Sequence, residues 1–525
     1  MSGSIPRRAF QTMAAQAAVM ATQWSRFAHG AWSDAPTMEL GSMVGEVTSD
    51  TAVLWCRTDQ PASLLIEWET ETAARSVGGS AVGRTESLND GTCHSWLRGL
   101  PAGERIGYRV AARNASGAQS DWLTGSFTTS SDSNDDVFFA WSGDTAGQGF
   151  GINLEWGGMR IYDAIAQLQP QFFVHSGDMI YADNPIPAEI ALADGSLWKN
   201  VVTEAKSHAA STLQDFRGNY QYNLMDACMR RFHSLVPLYV QWDDHETTNN
   251  WYPQQALRNR RDAAAYDAIE TARELSGRAK QAFFEYTPIR PMPSGERRIY
   301  RKIARGPRLD LFVLDFRTYR GPNTENRQTM LDDGSAILGA EQLQWLKQSL
   351  LESRATWKVL CCDMPIGVII GDGMEGKPLY EAVANGDSGA PSGRELEIAE
   401  LLRWMHANDI RNTVWITADI HYAAAHHYDP KRAEKAGAFK PFWEFVAGPL
   451  HAGTFGPNEL DGTFGPEVKF QWAPAKGTKL PLAPSAGMQS FGTIRIDGRT
   501  GSLKAEFRGL DGQVLPNGTI ELAPE

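Results

Sequence analysis

The sequence is poor in cysteine and contains no paired cysteine motif. It has five cysteines in 525 residues, none in a Cys-x-x-Cys spacing, and Cys361 and Cys362 are adjacent. So few cysteines exclude a disulfide framework. Cys56 and Cys93 could pair with each other, although two small buried side chains are the simpler interpretation.

The sequence also lacks an excess of positive charge. Its 62 acidic residues outnumber its 50 lysines and arginines, the formal net charge is −12, and no long basic run is present. We therefore expect no nucleic acid as a stable partner. The negative charge would also repel anionic substrates, unless bound cations reverse the field locally.

No apolar run is long enough to cross a bilayer, and no transmembrane segment is predicted. The N-terminus instead resembles a twin-arginine export signal, because Arg7 and Arg8 precede Phe10 and a stretch rich in Ala, Met and Val. Pro6 departs from the usual pattern, and a basic amphipathic start without significance is the alternative. We expect residues 1–35 to form a signal and connector, to engage the twin-arginine export machinery and to direct the protein to the periplasm or outside the cell.

Two familiar catalytic motifs are missing as well. The sequence has no Gly-x-Ser-x-Gly elbow and no Walker loop, which argues against a serine hydrolase of that type and against a P-loop nucleotidase. Any hydrolytic chemistry must therefore come from other residues.

The distribution of apolar residues predicts two regions after the signal. Residues 36–130 combine β-forming stretches with Gly, Asp, Asn and Ser turns, as expected for a β-sandwich. Residues 131–525 alternate strand and helix patterns, which predicts a layered and mainly parallel α/β domain. Ligands in such domains gather at the carboxyl ends of the strands.

Acidic residues, histidines and a tyrosine occupy those predicted strand ends. So many carboxylates in one place would repel one another unless multivalent cations neutralise them, which predicts a metal centre with two ions and one bridging carboxylate. Taken singly, each motif is more typical of a turn or a helix start. The residues are Asp144, Asp178, Tyr181, Asp243, Asp244, His245, Glu246, Asp363, Asp419 and His421.

The order of these motifs resembles that of the calcineurin-like binuclear metallophosphatases. The stretches "FVHSGDMIYAD", "WDDHETTNNW", "LDFRTYRG", "WKVLCCDMP" and "ITADIHYA" are most similar to PhoD-like alkaline phosphatases, whose site resembles that of purple acid phosphatases. The resemblance covers essentially the whole chain. It implies a layered α/β/β/α metallophosphatase domain preceded by a fibronectin-III-like β-sandwich.

The resemblance also implies a ligand set and its ions. The first ion would be held by Asp144, Asp178, Tyr181 and His421, a phenolate-containing set that suits Fe3+. Asp178 would bridge to a second ion held by Asp244, Asp363 and Asp419, and these anionic oxygens favour Ca2+ over Zn2+. Other divalent ions remain possible.

The remaining candidates would surround the metals. His245 would contact a phosphoryl oxygen or protonate the leaving group, and a structural histidine bonded to Asp243 is the alternative. Arginines at the end of a strand would grip phosphate or, as we favour, pair with the acidic cluster. The candidates for substrate binding or for support of the ligands are Asp243, Asn250, Asp315, Arg317 and Arg320.

The implied reaction is hydrolysis of a small phosphate ester by a metal-bound hydroxide, in a phosphomonoesterase or phosphodiesterase like alkaline phosphatase D. A phospholipase D-like phosphodiesterase is the alternative within the enzyme class. A non-catalytic, calcium-binding surface protein is the alternative outside it.

Overall fold

The computed structural model describes residues 34–71, 77–266, 268–290, 292, 294–373 and 378–525. The predicted export signal lies almost entirely on residues 1–33, outside the described residues. The domain boundaries given above stay predictions. Within the described residues no helix is both long and apolar enough to cross a membrane.

The N-terminal region is a β-sandwich of seven strands. One sheet has the order β1-β2-β5 and the other β4-β3-β6-β7, and side chains such as Leu54, Leu64 and Val110 fill the space between them. Cys56 lies opposite Cys93 on β2 and β5, and both are buried free thiols. The strands are β1 (Ser42–Gly45), β2 (Thr51–Arg57), β3 (Ala62–Thr70), β4 (Gly78–Thr85), β5 (Thr92–Arg98), β6 (Arg105–Arg113) and β7 (Leu123–Thr128).

The rest of the chain contributes fifteen strands and six helices among the described residues. The strands are β8 (Val137–Ser142), β9 (Phe172–Ser176), β10 (Glu189–Ala191), β11 (Leu197–Lys199), β12 (Leu238–Gln241), β13 (Arg301–Ala304), β14 (Leu309–Val313), β15 (Trp357–Cys361), β16 (Thr413–Thr417), β17 (Ala423–Tyr428), β18 (Phe442–Val446), β19 (Pro466–Trp472), β20 (Ser490–Ile496), β21 (Leu503–Gly509) and β22 (Val514–Leu522). The helices are α1 (Ile161–Gln167), α2 (Leu213–Leu224), α3 (Ala227–Leu235), α4 (Ala272–Tyr286), α5 (Ala340–Glu352) and α6 (Glu395–Ala407).

Two large sheets form the middle of this region. Their orders are β22-β21-β20-β8-β9-β12-β1-β2-β5 and β13-β14-β15-β16-β18-β17-β19. The pairs β8–β9, β9–β12, β12–β1, β14–β15, β15–β16 and β16–β18 are parallel, and the other neighbouring strands of the two sheets are antiparallel. The sheets are therefore mixed, and the expectation of a mainly parallel domain holds only for their centres.

Alternating side chains show how the layers stack. Val359 on β15 belongs to the core between the two sheets, whereas its neighbour Leu360 packs beneath α5 and α6. Likewise Val174 on β9 faces the second sheet, while Phe173 faces α1 and α3. Because successive strand residues point to opposite faces, both faces of these strands are buried, and the α/β/β/α layering is confirmed.

The sandwich and the α/β region share a sheet, which the sequence did not predict. Gly45 on β1 pairs with Leu238 on β12, so the nine-stranded sheet continues into the sandwich. Trp55 on β2 packs with the helices and donates its indole N–H to the carbonyl of Glu285 at 2.7 Å. The sandwich is thus anchored on the helical layer.

Helices α2, α3 and α4 were not among the predicted elements, although each begins with a side-chain cap. Thr212, Asp226 and Thr271 accept hydrogen bonds from backbone N–H groups in the first turns of these helices. Helix α2 buries Arg217, Asn219 and Asn223 as well as aromatic residues. Polar residues on its buried face obscure the apolar periodicity that would have identified it.

Candidate metal centre

The candidate ligands lie on turns that leave the parallel strands. Asp144 follows β8, Asp178 follows β9, and Asp419 follows β16, and their φ angles are 68°, 53° and 67°. His421 has a φ of 59°. Aspartate tolerates the left-handed region better than most residues, and clusters of such strained positions are typical of functional sites.

Close backbone contacts at glycines bring these turns together. A Cβ atom on Gly448, just after β18, would lie 2.4 Å from Oδ2 of Asp144. Gly177 has a φ of 97°, and a Cβ atom there would lie 2.4 Å from Cβ of Asp243. Only glycine fits either position, because any larger residue would displace a candidate ligand.

Asp144, Asp178 and His421 form the first group of candidate ligands. One ligand atom from each lies within 4.8 Å of the others. The hydroxyl of Tyr181 lies 2.9 Å from Nε2 of His421, while Nδ1 of His421 donates to the carbonyl of Gly453 at 2.5 Å. The histidine therefore directs Nε2 into the site, as in metal ligands whose other ring nitrogen is held by a carbonyl.

The second group consists of Asp243, Asp244 and Asp419, whose ligand atoms also lie within 4.8 Å of one another. A third set joins Asp178, Asp244 and His245 in the same way. Asp178 thus lies with Asp144 and His421 on one side and with Asp244 on the other, the position that a bridging carboxylate requires. Asp243, predicted above only as a supporting residue, lies among the candidate ligands.

Burial shapes the charges in the site. It raises the pKa of Asp144, Asp178 and Asp419 well above the usual range, and the neighbouring carboxylates add to the shift. Burial also lowers the pKa of His421 to about 4, which leaves a neutral imidazole able to ligate a metal. A cation is the arrangement that would keep so many buried carboxylates ionised.

Several carboxylate oxygens in the centre have no hydrogen-bond partner. Buried polar atoms without a hydrogen-bond partner are rare, so these oxygens are candidates to bind an ion. Carboxylates, a phenol and an imidazole form a donor set that fits hard metal ions. The unpartnered atoms are both Oδ atoms of Asp144, Oδ2 of Asp243, Oδ1 of Asp244 and Oδ1 of Asp363.

His245 projects between the ligands and an aspartate that the sequence analysis did not select. Its Nδ1 lies 2.6 Å from Oδ1 of Asp183, and its Nε2 lies 3.9 Å from Oδ1 of Asp244. Burial opposes a charged imidazole, yet the neighbouring carboxylates, Asp183 foremost, raise the pKa of His245 well above its usual value. The alternative considered above, in which His245 is bonded to Asp243, names the wrong partner, because the bonded residue is Asp183. Asp183 was visible in "GDMIYAD", two residues after Tyr181, but no local pattern connects it with His245.

Glu246 fastens two of the ligand-bearing turns to each other. Its carboxylate accepts hydrogen bonds from the backbone N–H groups of Asp178 at 3.1 Å, Met179 at 2.6 Å and Asp243 at 2.7 Å. Burial raises the pKa of Glu246 to about 7. Its contacts are with the backbone, so it orders the turns that carry Asp178 and Asp244.

The two predicted arginines, Arg317 and Arg320, form ion pairs with buried acidic residues. Arg317 and Arg320 are fully buried. Nε of Arg317 lies 2.5 Å from Oδ1 of Asp243 and 3.2 Å from Oδ2 of Asp363, and its Nη1 pairs with Glu381. Arg320 donates to Oε1 of the same Glu381 at 2.8 Å. This is the pairing favoured above, and it includes Glu381, which carries no recognisable signal in the sequence.

Asn250 and Asp315 form hydrogen bonds that hold segments near the candidate ligands in place. The backbone N–H of Asn250 donates to Oδ2 of Asp244 at 2.6 Å, which fixes that carboxylate. Asp315 accepts hydrogen bonds from the indole of Trp242 at 3.0 Å and from the backbone N–H and hydroxyl of Thr318. Asp315 therefore shapes the turn before Arg317 and is not grouped with the candidate ligands.

Family models account for most of the chain. The PhoD-like phosphatase model matches residues 139–507, and the model for the N-terminal domain of PhoD-like phosphatases matches residues 22–131. The chain belongs to the PhoD-like phosphatase family. The resemblance seen in the sequence is confirmed.

A curated relative matches about half of this chain. Alkaline phosphatase D of Bacillus subtilis (strain 168) is 29% identical over 286 residues, which are 52% of this chain and 46% of that protein. The chain thus spans about half the length of this curated relative.

Solved structures agree on the fold. A structure of PhoD has a TM-score of 0.66 at 21% identity and covers 94% of this chain and 90% of its own. The purple acid phosphatase PPD1 from yellow lupin (Lupinus luteus) seeds has a TM-score of 0.54 at 13% identity and covers 93% of this chain and 74% of its own. A PhoD-like fold therefore carries the acidic centre described here.

Proposed function

We propose that this protein is a metal-dependent phosphoric ester hydrolase that acts on small phosphate esters. The observation that carries the proposal is the convergence of buried, unpartnered carboxylate oxygens with Tyr181 and His421. Membership of the PhoD-like phosphatase family supports it. Metal ions in this centre would lower the pKa of water and neutralise charge on the phosphoryl group.

The proposed ligand roles follow the two halves of the centre. Asp144, Tyr181 and His421 would hold the first ion, for which we propose Fe3+. Asp178 would serve both ions. Ca2+ is the ion that we propose for the second position, whose donors are carboxylates only. Those carboxylates are Asp244, Asp363 and Asp419. Asp244 and Asp419 lie together with Asp243, and Asp363 contributes a buried, unpartnered Oδ1.

We propose that His245 donates a proton to the leaving group or contacts a phosphoryl oxygen. Asp183 holds Nδ1 at 2.6 Å, so the opposite nitrogen, Nε2, is the one that can face the substrate. From there it would donate a proton to the departing oxygen or contact a phosphoryl oxygen. Arg317 would keep Asp243 and Asp363 in place through its ion pairs.

Hydrolysis of p-nitrophenyl phosphate and bis-p-nitrophenyl phosphate tests this function. We expect activity on at least one of them, its loss after treatment with a chelator, and its return when metal ions are added back. Comparison of the two substrates distinguishes monoesterase from diesterase activity. A purified protein that contains metal and hydrolyses neither would favour the non-catalytic calcium-binding alternative.

We also propose export by the twin-arginine route to the periplasm or beyond. Arg7 and Arg8 support this proposal, together with the need of such a centre for folding around its metals before export. Replacing both arginines by lysine should retain the protein inside the cell, as measured by fractionation. Unchanged export would exclude this route.

A further inference from the structure

Lys206 is a buried lysine that has no acidic partner within ion-pair distance among the described residues. It is 3% exposed. A lysine is almost never fully buried without a paired charge, because taking its ammonium group out of water costs free energy. Burial lowers the pKa of Lys206 to about 7, and the charge of Asp183 only partly offsets this shift. Packing alone does not explain a residue that is buried at such a cost.

The amino group of Lys206 holds the turn that follows β9 and carries two of the candidate metal ligands. Its Nζ donates to the backbone carbonyl of Tyr181 at 2.6 Å and to Oδ1 of Asn219 at 2.9 Å. Asn223 holds the same turn, because its side-chain amide donates to the carbonyl of Met179 at 2.6 Å. Two carbonyl groups of this turn are therefore fixed by buried side chains from other segments.

Helix α2 in turn fixes Lys206. The side-chain amide of Asn219 donates to the carbonyls of Asp215 at 2.9 Å and Ala205 at 3.3 Å, so its Oδ1 is directed to the lysine. Gly218 allows the close approach of the two segments, since a Cβ atom there would lie 2.4 Å from Cβ of Ala205. The glycine and the polar side chain inside this helix are thus explained by the placement of Lys206.

Tyr181 connects Lys206 with the candidate metal centre. Its hydroxyl lies 2.9 Å from Nε2 of His421, the other candidate ligand of the first ion on that side. Its ring packs on that of His245, with 4.3 Å between the ring centroids. The carbonyl carbon that Lys206 holds is bonded to the Cα atom that bears the phenol. A shift of this carbonyl would therefore move the phenol oxygen relative to His421.

We propose that Lys206 is a positioning residue for Tyr181, which it holds so that the phenol oxygen can bind the first metal ion. This inference rests on the proposed function and its ligand set. The amino group bonds no other candidate ligand among the described residues, so Lys206 acts through Tyr181. Groups that orient a metal ligand commonly contribute about 10–100-fold to metal affinity. This contribution explains why a lysine is buried here without an acidic partner.

Lys206→Met, which removes the amino group at similar length, tests the proposal in protein loaded with Fe3+ and Ca2+. A phenolate bound to Fe3+ gives a visible charge-transfer absorption, which Tyr181→Phe should abolish. We expect Lys206→Met to shift or weaken this band and to lower the affinity for Fe3+, measured by competition with a chelator, by about 10–100-fold. Lys199→Met is the control, because Lys199 is an exposed lysine paired with Glu155, and it should keep both values.

A double variant decides whether Lys206 acts through Tyr181. Once the phenol is removed, Lys206→Met should cost no further affinity for Fe3+, so Lys206→Met/Tyr181→Phe should match Tyr181→Phe. Additive losses, an unchanged band and affinity in Lys206→Met, or a wild type without the band would overturn the proposal.

Asn219→Leu serves if Lys206→Met does not fold. It removes the second partner of the amino group and should change the band in the same direction, and a wild-type band in this variant would also overturn the proposal. Hydrolysis of p-nitrophenyl phosphate and its diester by the wild type separates this failure from that of the proposed function. A protein that shows the band and hydrolyses neither ester would refute the function, whereas an active protein with an unchanged band in Lys206→Met would refute only the role of Lys206.

Discussion

Oδ1 of Asp183 lies 2.6 Å from Nδ1 of His245, and Oδ2 of the same carboxylate accepts the backbone N–H of Asn249 at 2.7 Å. One aspartate thus fixes both the imidazole and the loop that follows it. The two residues are separated by 62 positions in the chain. From this contact we predict that Asp183 affects the reaction without binding a metal ion.

Replacing Asp183 by Asn should therefore lower the rate and leave the metals in place. Loss of the charged partner weakens proton donation by His245, and we expect a decrease of about 10–100-fold for an alkyl phosphate, within the range of general acid catalysis. The decrease should be smaller for p-nitrophenyl phosphate, whose leaving group needs no proton. Steady-state kinetics and elemental analysis check both parts.

The variant His245→Ala provides the comparison for Asp183→Asn. If Asp183 acts through His245, the double variant should be no slower than His245→Ala alone. Additive losses, or loss of metal from Asp183→Asn, would contradict the proposed positioning role.

Replacing Asp178 by Asn should remove metal from both halves of the centre, because its carboxylate lies with Asp144 and His421 on one side and with Asp244 on the other. Asp144→Asn should mainly weaken the first half. Metal content after dialysis against a weak chelator distinguishes the two variants. Asp409→Asn, on the surface, is the control and should retain both metals. Equal and mild losses from Asp178→Asn and Asp144→Asn would exclude Asp178 as the bridge.

Replacing Arg317 by Met should destabilise the protein strongly. The side chain is fully buried, and its removal leaves Asp243 and Asp363 without their counter-charge, while Glu381 keeps only Arg320. Breaking a buried ion pair from one side costs about 3–5 kcal/mol. The midpoint of urea denaturation measures the loss. Arg411→Met, which breaks an exposed pair with Asp409, should cause no measurable change.

The pH dependence of stability should depend on Glu395. Burial raises the pKa of this side chain to about 8, with Asp461 as a further cause. A carboxyl group whose pKa is raised by folding stabilises the protein below its unfolded pKa, and this stability is lost as the pH rises through the folded value. The loss should reach roughly 3–5 kcal/mol between pH 5 and pH 9.

The variant Glu395→Gln mimics the protonated side chain, so it should retain more stability than wild type at pH 9. Thermal midpoints of the two metal-loaded proteins across this pH range provide the measurement. Parallel pH profiles would show that Glu395 does not titrate in this way.

Much of the candidate centre was predictable because its signals are local. Asp144 and Asp178 follow apolar strands directly, and Tyr181 lies three residues after Asp178. Strand ends of parallel sheets meet at one edge, so acids at those ends converge wherever the strands pair. Asp315 also follows a strand, β14, and was predicted to bind substrate or to support the ligands. It bonds Trp242 and Thr318 and does not join the candidate ligands.

Apart from helices α2, α3 and α4, the sequence by itself determined the alternation of strands and helices around the site and the chemical type of the candidate ligands, because hydrophobic periodicity and the residues that end each strand are local properties. Only the tertiary structure decided which distant residues support those ligands. Asp183 reaches His245, Glu381 reaches Arg317, and β1 joins β12 because packing of the layers brings segments far apart in sequence into contact. Such pairings depend on the relative positions of whole elements, and no spacing along the chain encodes them.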